Sequence, residues 1–353
     1  MEEIRRRLLA WYDCHARTLP WRGIRDPYRT WVSETMLQQT RVETVLGYYA
    51  RFLERFPTVD ALAAAPQDDV LKMWEGLGYY SRARNLHKGA QQVVSEHAGM
   101  MPDSVEELRK ISGVGPYTAG AIASIAFDKP VPAVDGNVIR VTSRVKGIRE
   151  NVGIPTVRRE IEKVAGELVS PERPGDFNQA MMDLGATVCV PGTPSCEKCP
   201  LQSHCDAFAA GDAEELPVLP QKKPPKQLEY DVCLVFSGCR VLMRQRTESM
   251  LHGLWVYPML EGHSDEKRLP ASVRRMTRLA VQHISAAGEA RHVFTHQVWN
   301  MRLYVMDTDV ETAPAGWRFV SLQEMDALAT PSAMRAAYRA ARDILVGMND
   351  VQN

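Results

Sequence analysis

Four cysteines, Cys189, Cys196, Cys199 and Cys205, stand within seventeen residues, with six, two and five residues between them. Thiolates crowded into so short a run can wrap one compact inorganic centre. The run lacks the paired C-x-x-C layout usual for structural zinc, and four-Cys ligation of a [4Fe–4S] cluster suits it better. Zinc and reduced structural thiols are the alternatives on spacing alone. Disulfides fit poorly, since the chain has 353 residues and no signal peptide, unlike a stapled secreted miniprotein.

Three further features carry chemistry more weakly. Ile111-Ser-Gly-Val-Gly-Pro-Tyr-Thr-Ala-Gly reads as a hairpin between two helices. Gly113 and Gly115 allow positive φ and leave backbone N–H groups bare at the start of the next helix, which can hold a phosphate without reading a base. A plain tight turn explains the same residues. Asp135 closes the Pro-rich stretch Pro130–Val134 at an expected helix N-cap, a place where Asp is favoured for local reasons. Glu34 sits mid-helix between apolar Val32 and Met36, where an exposed helical glutamate is the ordinary reading.

The elements that must position these groups fall into two regions. Arg6–His15, Pro27–Phe56, Asp68–Glu75, Ser81–His97, Ser104–Ile111, Tyr117–Phe127, Asn137–Lys146, Pro155–Val169 and Phe177–Cys189 carry apolar residues at helical spacing, so residues 1–213 read as all-α. Residues 214–227, EELPVLPQKKPPKQ, read as an extended basic linker containing Lys222, Lys223 and Lys226. Across 228–347 the period changes. Tyr230–Phe236 and Arg240–Arg246 flank Ser237-Gly238 as a hairpin, Val298–Met306 alternates as a strand, and Val273–Ala287 and Ala333–Leu345 read as helices, an α+β module. Composition is that of a soluble globular protein, 45% hydrophobic and 24% charged, with no apolar run of transmembrane length. Net charge is zero, so a nucleic-acid face must come from local segregation such as the arginines of the first thirty residues. Seven cysteines without an export signal imply a reducing, cytoplasmic compartment, nucleoid-associated if the source is bacterial.

Taken together, and in order, the motifs resemble the helix-hairpin-helix DNA glycosylases and, more narrowly, the MutY-type adenine DNA glycosylases. The residues that carry the likeness are Leu19-Pro-Trp-Arg, Trp31-Val-Ser-Glu-Thr-Met-Leu-Gln-Gln-Thr-Arg-Val, Glu75-Gly-Leu-Gly-Tyr-Tyr, Gly113-Val-Gly-Pro-Tyr-Thr, Val134-Asp-Gly-Asn-Val and Phe177-Asn-Gln-Ala-Met-Met-Asp-Leu-Gly-Ala. The resemblance implies an all-α helix-hairpin-helix glycosylase domain with an iron–sulfur cluster loop at 189–205, followed by an α+β Nudix-like C-terminal domain. It implies a monomeric enzyme on duplex DNA, with no membrane partner, that releases adenine mispaired with 8-oxoguanine or guanine. Glu34 would be the acid at adenine N7 and later the base for water. Asp135, with Asn137 as its partner, would shelter the oxocarbenium ion, the two carboxylates dividing the labour. Tyr117 stands where relatives of the endonuclease III type have a Schiff-base lysine, so hydrolysis without strand cleavage is expected. Trp21, Arg22, Leu37 and Gln179 would line the adenine pocket, some relatives having Glu in place of Gln179. Gln39 and Tyr79 would act as wedges during base flipping. A glycosylase-lyase and a non-catalytic mismatch binder are the competing functions.

The Nudix-like region lacks the acidic helix of an active diphosphate hydrolase. Ser272-Val-Arg-Arg-Met-Thr-Arg stands where R-E-x-x-E-E would hold magnesium. What the resemblance leaves is Phe294-Thr295-His296, with Thr295 in place of the family's serine, as a reader of the base opposite adenine. Guanine N7 only accepts a hydrogen bond, whereas 8-oxoguanine offers an N7–H donor and an O8 acceptor. Thr295→Ala is therefore expected to lower the preference for adenine opposite 8-oxoguanine over adenine opposite guanine, measured as the ratio of single-turnover rates. An unchanged ratio would remove Thr295 from recognition.

Overall fold

The structure, a computed structural model, describes residues 1–221 and 223–352; Lys222 of the basic linker lies outside the described residues. It divides into two compact units, Met1–Ala64 with Asn85–Gln221, and Ala65–Arg84 with Lys222–Asn353.

The first unit is helical. Helix Pro27–Leu37 starts with the Asp26 carboxylate accepting the Arg29 N–H at 3.1 Å and with proline at its first position, whose φ is already helical. The continuous helix expected over Pro27–Phe56 is instead two, Pro27–Leu37 and Val42–Arg55, because the chain turns through Gln39 at φ 56°. Nothing in the apolar spacing marks that turn. Helix Pro116–Phe127 packs against Pro27–Leu37, and helix Pro174–Thr187 packs against Glu2–His15, Pro116–Phe127 and Gly136–Val145. Leu8, Val141, Ile161, Phe177 and Leu184 are at the centre of one core there.

The Pro-rich segment before Asp135 is held from two sides. Asn178 accepts the Ala133 N–H at 3.1 Å and donates to the Val131 carbonyl at 2.9 Å. On the other side the segment presses on Gly120, where an added Cβ would lie 2.1 Å from the Pro132 carbonyl oxygen. Only glycine admits this approach.

The second unit is built on a mixed sheet. Its strands are β1 (Lys226–Ser237), β2 (Arg240–Gln245), β3 (Trp255–Val256), β4 (Met259–Glu261), β5 (Gln282–Val293), β6 (Gln297–Asp307) and β7 (Arg318–Val320). β1 begins two residues inside the stretch read as linker. The order is β3-β2-β1-β6-β5, with β4 also pairing β1 and β7 also pairing β2. β1 and β6 run parallel in unbroken register from Lys226↔Gln297 to Phe236↔Asp307. Alternate residues of β1 serve two cores: Val232, Leu234 and Phe236 join Ala337, Ala341 and Leu345 of helix Arg335–Gln352, while Cys233 and Val235 join Leu269 and Val273 of helix Leu269–Thr277. The hairpin and the strand read over Val298–Met306 stand as expected. The helix read over Val273–Ala287 does not. It ends at Thr277, where Arg278 turns left-handed at φ 67°, and Gln282–Val293 is β5, antiparallel to β6. The edge of β6 offers a long hydrogen-bond ladder, broken by register shifts between Gln282 and Ser285 and between Ala286 and Gly288, and that overrides the helical preference of Ala286 and Ala287. Among the described residues no helix is long and apolar enough to cross a membrane.

Gly120→Ala should lower stability by about 1–3 kcal/mol, the cost of forcing a methyl group into a filled contact. Thermal unfolding checks this; an unmoved midpoint would mean that Val131–Ala133 yields freely.

Candidate functional site

Glu34 lies on helix Pro27–Leu37 at only 6% exposure. The Tyr117 hydroxyl, from the first turn of the neighbouring helix, donates to Glu34 Oε2. Burial pushes the Glu34 carboxyl above its ordinary 4.5, and the negative charge of Asp135 adds to the rise; the Tyr117 hydrogen bond and the Arg22 guanidinium oppose it. Burial and the two carboxylates likewise hold Tyr117 well above the usual phenol range, so it stays a donor.

Asp135 is the N-cap of helix Gly136–Val145. Its Oδ1 accepts the Val138 N–H at 2.7 Å and its Oδ2 accepts Asn137 Nδ2 at 2.8 Å. Burial raises its pKa above the ordinary 3.8, against the pull of these hydrogen bonds and of Arg140. Asn137 in turn accepts Arg140 Nη2 at 2.8 Å, and Arg140 Nε donates to the Cys189 carbonyl at 2.8 Å. Gly185 makes room for Asn137, since a Cβ there would lie 2.7 Å from Asn137 Cβ.

Glu34 and Asp135, 101 residues apart in sequence, thus line one cleft of about 720 Å³. Tyr117, Asn137, Trp21, Arg22, Leu37, Gln179, Gln39, Gly113 and Gly115 line it too, so the expected residues of the helical region converge. Trp21 is braced edge-on by Tyr49, with ring centroids 5.2 Å apart. Gly113 has φ 82°, and a Cβ there would lie 2.9 Å from Asn85 Cβ, whereas Gly115 faces open space. Gln39 holds the left-handed backbone region at φ 56°, an unusual state for a residue with a side chain and one that clusters at functional sites. A carboxyl whose pKa is raised by burial, sharing a cleft with a second carboxylate held by two hydrogen bonds, can deliver a proton and shelter a cation in the same cleft.

Across 96% of its length the chain is 37% identical to the adenine DNA glycosylase of Mus musculus, covering 78% of that protein, and it is equally identical to the Homo sapiens adenine DNA glycosylase, covering 72% of it. It belongs to the adenine DNA glycosylase family. A relative of the same name from Buchnera aphidicola is 34% identical over 82% of each chain. Residues 32–169 match the HhH-GPD superfamily of base excision DNA repair proteins, and residues 231–340 match the NUDIX domain. Among solved structures, a thermostable thymine-DNA glycosylase superposes with a TM-score of 0.55 at 27% identity, over 59% of this chain and 98% of that one. Endonuclease III in a non-covalent DNA complex gives 0.50 at 25% identity, over 60% and 97%. This adenine DNA glycosylase is therefore a hydrolytic enzyme of base excision repair.

In the glycosylase's second unit, Tyr79, Phe294, Thr295 and His296 line a separate cavity of about 440 Å³. The Tyr79 hydroxyl meets Thr295 Oγ1 at 2.5 Å. Tyr79 is 47% exposed and, like Gln39, left-handed, at φ 47°. Arg82 stacks on its ring and donates to the Leu77 and Gly78 carbonyls at 3.2 and 3.1 Å, fixing the turn before it. Phe294 packs on Trp299 at 4.9 Å.

All four clustered cysteines, none of them in a disulfide, line one cavity, whose other walls include Val141, Val145, Leu184 and Pro194. They do not close on a point: among the described residues no three Cys, His, Asp or Glu side chains form a group for a single metal ion. Burial pushes the Cys199 thiol up to about 12. Arg144, fully buried, aims Nη1 at Cys189 Sγ at 3.4 Å and at the Val190 carbonyl at 2.8 Å. Four sulfurs around one largely apolar cavity, with a cation alongside, fit an anionic thiolate-bound cluster.

Sequence reasoning passed over Arg17 and Asp183. The signal was present in Asp183, a charged residue four positions after Gln179 on the same apolar helix face, where an unpaired carboxylate would be costly.

Because the Tyr117 hydrogen bond pulls the Glu34 pKa down, Tyr117→Phe should raise it further. Carbon-13 titration of the Glu34 carboxyl reads this directly; a value at or below that of the wild type contradicts it.

Proposed function

We propose that the enzyme is a monofunctional glycosylase that hydrolyses the N-glycosidic bond of adenine paired with 8-oxoguanine or guanine in duplex DNA. The observation that carries the reading is the pairing of buried Glu34 with the Tyr117 hydroxyl in the cleft shared with Asp135. Glu34, whose carboxyl burial shifts towards the protonated form, delivers its proton to N7 of the extruded adenine, which makes the purine a neutral leaving group. As the bond lengthens, positive charge spreads over the sugar. Asp135, whose carboxylate form is favoured by the hydrogen bonds of Val138 and Asn137, stabilises that charge from the N-cap. Glu34, now a carboxylate, accepts a proton from the attacking water. Tyr117 has no amine and forms no imine, so the product is an abasic site in an unbroken strand.

The bare amides before helix Pro116–Phe127 suit a backbone phosphate, and Gln39 and Tyr79 suit the space left by a flipped base. The hydroxyl of Thr295 and the backbone of Phe294 and His296 distinguish 8-oxoguanine from guanine at N7. Cys189, Cys196, Cys199 and Cys205 would hold a [4Fe–4S] cluster. When bound, that group supplies structural cross-linking of the loop and local charge. The protein acts as a monomer in the cytoplasm, on DNA.

The test is single-turnover adenine release from a duplex with adenine opposite 8-oxoguanine. Glu34→Gln should lose about 10²–10⁴-fold, the range for general acid catalysis, and Asp135→Asn about 10²–10³-fold, as for loss of one charge-stabilising group. Wild-type activity should fall as pH rises through the elevated Glu34 pKa and as it falls through that of Asp135, giving a bell with both limbs above the ordinary carboxylate values of 4.5 and 3.8. Full activity in both variants, or borohydride trapping of a covalent DNA adduct, would sink the proposal.

A further inference from the structure

Asp183 is completely buried on helix Pro174–Thr187, whose Gln179, Met182 and Ala186 line the cleft. Its Oδ1 accepts Arg17 Nη2 at 2.6 Å, Arg17 Nε at 2.9 Å and Arg22 Nη2 at 2.9 Å, and its Oδ2 accepts the Arg17 backbone N–H at 3.3 Å. Arg22 Nη1 donates onward to the hydroxyl of Tyr12. Two guanidinium groups therefore converge on one carboxylate oxygen, and both line the cleft that contains Glu34. Two cations this close repel strongly away from bulk water, and a carboxylate without solvent needs such partners to remain charged. Each half of the arrangement requires the other.

We propose that Asp183 is a positioning residue for base excision: it holds Arg17 and Arg22 against the cleft wall and so fixes the cationic field in which Glu34 works. The proposal rests on the reading of Glu34 as the acid. In its support, Arg22 is one of the groups that hold the Glu34 carboxyl down against the effect of burial. Without Asp183 the arginines, whose side chains are 30% and 14% exposed, have an open path to solvent. Glu34 would then keep its proton to higher pH and give it up less readily.

The experiment is the pH profile of single-turnover adenine release by the full-length enzyme, with Asp183→Asn, Asp183→Glu and Glu34→Gln measured in parallel. In Asp183→Asn the rate at neutral pH should fall about tenfold or more and the alkaline limb should move to higher pH. Asp183→Glu, which keeps the charge, should recover most of the rate and return the limb towards that of the wild type. A folded Asp183→Asn enzyme with an unmoved limb, while Glu34→Gln is inactive, overturns this inference alone. Release retained in Glu34→Gln overturns the reading of Glu34 and this inference with it. Should Asp183→Asn not fold, Arg22→Ala decides: its alkaline limb must move the same way, and an unmoved limb refutes the role.

Discussion

Glu34 is a carboxyl group almost without water, and that desolvation is the constraint around which the cleft is arranged. In solvent a glutamate at neutral pH is an anion and useless as an acid. Buried here, it meets one hydroxyl from Tyr117, one carboxylate at Asp135 and the field of Arg22. Two of these oppose the effect of burial and one reinforces it, so its acidity is a balance between elements rather than a property of its own helix.

Asp135 reaches the same cleft by a different route. A glutamate on a helix face is placed by packing, whereas an N-cap aspartate is placed by where its helix begins. That start is fixed by close approaches that tolerate no side chain, at Gly120 against Pro132 and at Gly185 against Asn137, and by the amide of Asn178. Arg140 extends the same scaffold to the backbone of Cys189, so the cysteine loop and the second carboxylate share one set of hydrogen bonds. Disturbing the loop therefore bears on the site without touching either carboxylate.

The C-terminal unit contains the NUDIX match, over residues 231–340. Helix Leu269–Thr277 carries no acidic residue, while the turn after β5 presents Phe294 and Thr295 beside Tyr79. Tyr79 comes from Ala65–Arg84, a segment that sequence assigned to the helical region and that the structure groups with the sheet. Its partners there include the Thr330 hydroxyl and N–H, both donating to Glu75 Oε1. Helical periodicity reports only that a segment has an apolar face, not which core receives it.

Much was legible because it is local. Apolar spacing marked most helices, Gly and Pro marked their ends, Asp135 read as a cap, and the crowding of four cysteines was plain from their numbers. Motif order was enough to expect the family. One misreading arose where a distant partner decides the outcome, since Gln282–Val293 pairs with the edge of β6; the other is the left-handed turn at Gln39, which breaks a helix that apolar spacing reads as continuous. Likewise, sequence could name Glu34 and Asp135 as candidates but could not bring them into one cleft or remove water from either. The charge of Asp183 on an apolar helix face was visible there, but not the two arginines it meets. Those facts depend on contacts between residues far apart in sequence, 83 positions for Tyr117 and Glu34 and 166 for Arg17 and Asp183, and a pKa set by burial exists only once the surrounding side chains have closed over the group.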